Sequence, residues 1–474
     1  MDYEHLFRTK MDDLLIDEME RTNCPGTALG IVDQGELVFT RNYGTTDLDH
    51  NTAVTSDNLF CAASVTKSFI CAGILKLQEV GKLSVHDEIA EYLPITIGFD
   101  DDPITIHHLM THSSGIPNLA DSLWAKNKEA MWGLDAAVPR IPFSSWDDGF
   151  RYLNGAQEFL SRPGRRFHYN NFGYGILSKL ITEVSGVSFK QYLADQLFGP
   201  LEMNHSGFYS QVKDNGRLSK IYADKPGSEV RELISPSFDD IRLTNSLDEA
   251  AGGLFTSITD LSHYLIMHLQ GGSYNGKQVL SSESVAAMQE RQFEESYPNA
   301  SFSGMYGQSI SGYGYGFAID ENFHGTKLIQ HSGSFIGASA WFSMLPEHQR
   351  GVIMLSNHHP SPRIFAQAIL MESMGLDCQT SWPLLQLRNH HEKLQGEYQS
   401  YKGVSKIKII SSGGSLYLAN SQGENRVQLL PYDNDVLTHN YFHYTEMGGK
   451  MPVQFIDDGD TLWLHLERNK WKKQ

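Results

Sequence analysis

The stretch Phe60-Cys61-Ala62-Ala63-Ser64-Val65-Thr66-Lys67-Ser68-Phe69-Ile70-Cys71-Ala72-Gly73-Ile74-Leu75-Lys76-Leu77 constrains this chain more than any other. Beyond Ser64 it is apolar on nearly every side, which on a helical period describes a helix buried all round. A chain that holds such a helix has to build a domain around it. Ser64 and Lys67 stand at i and i+3, on one face of the first turn, where their side chains can meet. A hydroxyl beside an amine is a nucleophile beside its base, although an N-capping serine would open the same helix equally well.

The Ser-x-x-Lys spacing occurs in three places, and context separates them. Ser405/Lys408 lies in an alternating stretch that predicts a strand, where i and i+3 face opposite sides. Ser210/Lys213 runs into the turn signal Asp214-Asn215-Gly216 with no buried helix behind it. Only Ser64/Lys67 sits where backbone amides at a helix start could also stabilise an oxyanion.

At 474 residues, 40% of them hydrophobic, the chain suits one large or two to three ordinary globular domains. A formal net charge of −18 argues against nucleic acid and anionic membrane surfaces, which both demand a basic patch. Residues 1–16 are charged throughout and predict an amphipathic helix without the apolar core of a signal peptide. No stretch reaches the length of a membrane span. The cysteines Cys24, Cys61, Cys71 and Cys378 form no metal-like spacing, which suits a reducing compartment and a cytoplasmic protein. Cys61 and Cys71 read as small buried hydrophobes.

In chain order, Thr27–Val32 and Glu36–Thr40 predict a hairpin across Asp33-Gln34-Gly35. Ser56-Asp57-Asn58 reads as the turn into the buried helix. His108 and His112 fall at i and i+4, a spacing that could hold zinc, but no glutamate lies between them and both read as structural. Residues 118–165 have the profile of a long substrate-proximal excursion. Tyr169 and Asn171 flank one residue where the loop Pro163–Asn171 gives way to a helix from Phe172 to Val184. Four strands, Tyr313–Ala318, Thr326–His331, Ala338–Leu345 and Gly351–Ser356, predict an antiparallel meander, with His331-Ser332-Gly333 at the end of the second. Residues 376–393 read as a linker. Beyond it, Lys406–Ser411, Ser415–Ala419, Arg426–Pro431, Val436–His439, Val453–Ile456 and Thr461–Leu466 predict a small all-β barrel over 394–474.

Ser64-Val65-Thr66-Lys67, Tyr169-Asn170-Asn171 and His331-Ser332-Gly333, in that order and on helix, loop and strand, resemble the serine β-lactamase and penicillin-binding protein superfamily. The branch they resemble most holds class C β-lactamases, D-alanyl-D-alanine carboxypeptidases, D-aminopeptidases and related esterases. Ile104–Gly115 and Ala251-Gly252-Gly253-Leu254 match that branch too. The resemblance implies an α/β (α+β) β-lactamase/transpeptidase-like fold over residues 1–375, an antiparallel sheet flanked by helices with a mostly helical subdomain. It also implies roles. Ser64 would become acylated, Lys67 and Tyr169 would share proton transfer, and Asn171 would hydrogen-bond substrate. His331 would line the site, and the amides of Ser64 and of a residue after Gly333, Ser339, would form the oxyanion hole. A lysine at its ordinary pKa of ~10.4 is a poor base at neutral pH, so burial or a positive neighbour has to lower it.

Class C β-lactamases usually carry Lys where His331 stands, and a histidine there resembles certain peptidases. The resemblance therefore implies a serine hydrolase acting through an acyl-enzyme on peptides, amides or esters, D-amino-acid-containing peptides among them, with no cofactor and no metal. The alternatives are a β-lactamase or esterase, a peptide-cyclising acyltransferase and, last, a non-catalytic scaffold. The C-terminal barrel resembles the lipocalin-like domain appended to an archaeal self-compartmentalising peptidase and to peptide-cyclising thioesterases. It leaves a homo-oligomer open; expected partners are a small-molecule or short-peptide substrate, with no nucleic acid and no membrane.

Overall fold

The turn at Gln34-Gly35 joins β1 (Gly26–Asp33), buried along nearly its whole length, to β2 (Glu36–Asp47) in the first hairpin, with β3 (Thr52–Ala53) at its far edge. The computed structural model describes residues 1–117, 145–155, 159–224, 233–234, 246–294, 311–335, 337–432, 435, 437–466 and 468–474. Of the excursion expected over 118–165, residues 118–144 and 156–158 lie outside the described ones. The chain divides into two compact units, Met1–Leu370 and Met371–Gln474.

In the first unit three short strands, β4 (Phe60–Cys61), β5 (Gly207–Phe208) and β6 (Leu254–Thr256), form a small sheet in the order β4-β6-β5. The meander follows as β7 (Ser311–Tyr313), β8 (Ala318–Phe323), β9 (Thr326–Phe335), β10 (Ala338–Leu345) and β11 (Arg350–Ser356). The strand expected over Tyr313–Ala318 is broken, because Gly314–Phe317 turns the chain between β7 and β8 and Gly314 N–H bonds back to Phe317 O. The main sheet is antiparallel at every pairing from β7 to β3 and runs β7-β8-β9-β10-β11-β1-β2-β3, so the N-terminal hairpin closes onto the last strand of the meander.

Helices cover this sheet. Residues Tyr3–Leu6, Phe7–Met11 and α1 (Asp12–Thr22) form one helical run, with a π-turn in its middle segment. The Ser64 stretch gives α2 (Thr66–Glu79), in which only Lys76, Gln78 and Glu79 escape full burial. α3 (Ile106–Met110), α4 (Asn171–Ser185) and α5 (Ser246–Gly252) pack near the start of α2. α6 (Ile258–Leu269) lies directly on β1, where a side chain at Gly30 would overlap Ile258. Phe69 of α2 stacks on Tyr264 of α6 with ring centres 3.9 Å apart, joining the two helices in one core.

The second unit is a closed eight-stranded barrel: β12 (Gly396–Gln399), β13 (Lys406–Ser412), β14 (Ser415–Asn420), β15 (Val427–Pro431), β16 (Asn440–Tyr444), β17 (Lys450–Asp457), β18 (Leu462–Leu466) and β19 (Asn469–Lys473). β19 returns to β12 through Tyr398 opposite Lys473. The strand expected at Val436–His439 is displaced: Leu437–His439 is irregular and the pairing residues are Asn440–Tyr444. Residues 376–393, read as linker, carry Cys378–Ser381 and most of α7 (Pro383–Leu394). Leu394 belongs to the barrel core with Tyr398, Tyr441, Phe455 and Trp471, and Tyr398 OH donates to Leu394 O at 2.6 Å. Among the described residues no helix is long and apolar enough to cross a membrane.

His268 of α6 is buried against the edges of Tyr264 and Phe317, and burial pushes it from 6.5 down to about 3. The unfolded chain binds this proton from about pH 6.5 downward, whereas the folded chain refuses it until about pH 3, so stability falls with pH across that window. The stability of the parent relative to His268→Leu is expected to drop by up to about 1.4 kcal/mol per pH unit below 6.5. Denaturant titrations of both proteins between pH 7 and pH 4.5 measure it; parallel pH dependences would refute it.

Candidate active site

Ser64 is reached through a strained turn. Ala62 N–H donates to Leu254 O at 2.8 Å and Leu254 N–H donates to the Thr66 hydroxyl at 3.1 Å, so β6 grips the backbone on both sides of Ala63 and Ser64. Ala63 takes a left-handed φ of 44°, a region that costs a non-glycine residue energy. Ala63–Val65 form a single 3-10 turn and α2 begins at Thr66, with Val65 at its cap position and no side chain capping it. The expectation that Ser64 itself opens the α-helix is therefore corrected. Its hydroxyl is spared from capping, is half-buried, and accepts from Lys67 Nζ at 3.2 Å.

Lys67 is fully buried. Its Nζ also donates to Ala251 O at 2.6 Å and stands 4.8 Å and 5.4 Å from the ring centres of Tyr169 and Tyr174. Ala251 is presented by α5, whose buried Glu249 is paired with Lys190 at 2.6 Å.

Tyr169 is half-buried, in the loop that leads into α4. The cap of α4 is its neighbour Asn170. Asn170 Oδ1 accepts from Gly173 N–H at 3.0 Å, its Nδ2 donates to Ile116 O at 2.7 Å, and its N–H donates to His112 Nδ1 at 2.9 Å. Asn171 follows as the first residue of α4, half-buried.

His331 is buried on β9. Its Nδ1 donates to Ser332 O at 2.7 Å and its Nε2 accepts from the hydroxyl of Tyr313, on β7, at 3.0 Å. Burial, with Lys67 adding to it, pushes His331 down to about 3. His112 is held well below 6.5 by burial first and then by Lys67 and His331. Gly333 lies against the Ala62–Ser64 turn so closely that a methyl group there would overlap Ala62 O. The Arg363 guanidinium donates to Gly333 O.

The structure thus brings Ser64, Lys67, Tyr169, His331 and Gly333 together, but not Ser339. Ser339 is buried inside the sheet, paired with Ser334 on one side and Ser356 on the other, and its hydroxyl donates to His358 O at 2.8 Å. A residue with a strand on each flank has its amide in the ladder. The strand beside Ser64 is β9, with which β8 pairs only as far as Gln330 among the described residues.

His108 and His112 do not act as a helical pair, because α3 ends at Met110 and His112 turns away with a φ of 58°. His108 Nδ1 accepts from Thr105 N–H within the α3 cap. Sequence reasoning missed Tyr313, Asn170, the Ala251 carbonyl and the place of His112 in the site. Asn170 carried a signal, an N-cap residue before a strongly apolar helix; the others act on groups far away in sequence.

A sequence model described as Beta-lactamase matches residues 11–371, and one described as Pab87 octamerisation domain matches residues 378–472. The chain is similar throughout to the octameric penicillin-binding protein homologue from Pyrococcus abyssi, with 28% identity, a TM-score of 0.83 and 100% of both chains covered. It shares the fold of a penicillin-binding protein from Bacillus halodurans, with 22% identity and a TM-score of 0.57 over 76% of this chain and 98% of that one. Protein flp of Staphylococcus aureus (strain MRSA252) is 25% identical over 73% of this chain, which spans only 62% of that relative's length. Penicillin-binding protein 4* of Bacillus subtilis (strain 168) is 25% identical over 74% of this chain and 72% of its own.

The close approach at Gly333 makes a direct prediction. Gly333→Ala is expected to force β9 away from Ala62 and to destabilise the first unit by about 1–3 kcal/mol. The denaturant midpoint reads this, and a variant as stable as the parent would show that β9 has room to withdraw.

Proposed function

From a chain that belongs to the beta-lactamase family, we propose a serine hydrolase that works through an acyl-enzyme on Ser64, with peptide, amide or ester substrates, D-residue-containing peptides among them. The observation that carries this reading is the 3.2 Å contact between the Ser64 hydroxyl and the buried Lys67 amine, on a turn where Ser64 has no capping duty. In the reaction, Lys67, once deprotonated, takes the Ser64 proton as Oγ attacks the substrate carbonyl. Backbone amides of Ser64 and of β9 beyond Gly333 stabilise the oxyanion. The leaving amine or alcohol departs with that proton, relayed through Tyr169; water then attacks the ester, its hydroxyl going to the acyl group as the free acid and its other proton to Ser64. Half-buried Asn171 offers its amide to the substrate.

His331 supports the choice among substrates. Both of its nitrogens are engaged and it is neutral, so it presents no cation to an anionic group. This favours neutral amide and ester carbonyls over the charged bicyclic β-lactams met by a lysine at that position. We read the barrel as the unit that assembles copies of the chain, a reading supported by the octamerisation-domain match and the octameric Pyrococcus homologue.

Incubation with a fluorophosphonate is expected to add one phosphonyl group by intact mass, and none to Ser64→Ala. On an activated ester, Ser64→Ala should lower kcat/KM by about 10⁴-fold or more and Lys67→Met by about 10²–10⁴-fold. A folded parent that neither takes the label nor cleaves the ester would overturn the reading. Light scattering is expected to find an assembly of several chains, and a monomer at micromolar concentration would remove the assembly role of the barrel.

A further inference from the structure

We propose that His112 is the positioning residue that fixes Tyr169 in the site, acting through the Nδ1 lone pair of a neutral imidazole. This rests on the reading of Tyr169 as a proton-transfer group. His112 holds the loop at two points. Its carbonyl accepts from His168 N–H at 2.7 Å and its Nδ1 accepts from Asn170 N–H at 2.9 Å, so Tyr169 is the one residue between two clamped amides. The imidazole also lies against the Tyr169 ring, with centres 4.3 Å apart and planes inclined by 35°. The left-handed φ of 58° lets the carbonyl and side chain of His112 both serve this loop. Asn170 passes the restraint on, through its cap of α4 and its bond to Ile116 O.

The clamp dictates the tautomer. A backbone N–H can only donate, so Nδ1 is an acceptor and the ring proton sits on Nε2. That Nε2 is buried and has no hydrogen-bond partner among the described residues. Ring packing for its own sake leaves this feature unexplained, whereas a clamp needs only Nδ1. The titratable groups facing the ring are Lys67 from α2, Tyr169 from the loop, Tyr174 from α4, Tyr313 from β7 and His331 from β9. Protonating Nδ1 would remove the acceptor and set a second cation beside Lys67; burial, Lys67 and His331 all oppose it.

Two amide side chains separate the δ acceptor from the rest of the ring. In His112→Asn, Oδ1 occupies the place of Nδ1, and asparagine tolerates a left-handed φ. In His112→Gln the polar atoms move one bond further out and the δ acceptor is gone. With an activated ester, His112→Asn is expected to keep kcat within about tenfold of the parent. His112→Gln and His112→Leu should lose about 100-fold in kcat, with KM within about threefold, because a misplaced proton-transfer group slows the chemistry and leaves ground-state binding intact. A folded His112→Gln with the parent kcat, or a folded His112→Asn as slow as His112→Gln, overturns the proposal. Where the Gln and Leu variants do not fold, His112→Asn decides alone: a folded protein within tenfold supports the clamp, and a 100-fold loss overturns it. Ser64→Ala in the same assay separates the two levels of failure. An active Ser64→Ala overturns the acyl-enzyme reading together with the clamp, whereas an inactive one beside a fully active His112→Gln overturns the clamp only.

Discussion

An amine with no exposed surface dictates what surrounds it. Lys67 is wholly buried, and an ionised group taken out of water costs several kcal/mol unless acceptors replace its hydration. The replacements come from separate parts of the chain. Ala251 O lies at the end of α5, Ser64 Oγ on the preceding turn, and the ring faces of Tyr169 and Tyr174 on the loop and helix that follow Pro163. Each segment is held in turn from behind, α5 by the buried Glu249–Lys190 pair and the α4 entry by Asn170. The convergence of α2, α4 and α5 on one corner of the sheet follows from the need to enclose this one side chain.

The same amine decides the state of its neighbours. Two further basic side chains, His112 and His331, are buried within its reach, and both are driven neutral, by burial first and by Lys67 next. Neutral imidazoles have one donor and one acceptor each, so their hydrogen bonds become directional instructions. His331 donates to Ser332 O and accepts from Tyr313; His112 accepts from Asn170. An acidic site with room for water would leave these tautomers free. The full burial of the two imidazoles fixes them, and with them the loop and the strand that border Ser64.

The parts of this arrangement that depend on side-chain pattern were legible in the sequence. An all-round apolar stretch predicts the burial of α2, and Gln34-Gly35 predicts the first hairpin; both follow from residues close in sequence. The Ser64/Lys67 pair was legible because i and i+3 share a helical face. What escaped is carried by backbone. Nothing in the side chain of Ala63 announces a left-handed φ of 44°, which arises because β6 grips the chain on both sides of the turn. The clamp of His112 on Asn170 joins residues 58 apart through a main-chain N–H, which leaves no compositional trace. The resemblance offered Ser339 for the oxyanion hole, but strand order puts it inside the sheet, between β9 and β11. The barrel strand was placed four residues early, at Val436–His439, because that segment directly precedes the true strand Asn440–Tyr444 and is itself apolar at its start.

The occupied state of His331 bears on what the site can discriminate. A lysine there would bring a charge and three donors to the edge of the cleft, and would bind an anionic group by Coulomb attraction as well as geometry. The neutral imidazole spends its donor on the backbone and its acceptor on Tyr313, so it fills space and braces β9. On the proposed reading, recognition near Ser64 falls to β9 beyond Gln330, where β8 no longer pairs with it among the described residues, and to the amide of Asn171. An exposed strand edge recognises an extended backbone by its own spacing of N–H and C=O groups and is indifferent to formal charge. On the proposed acyl-enzyme reading, such a site would select substrates by whether they can lie as an added strand with a carbonyl over Ser64, and only secondarily by the charge they carry.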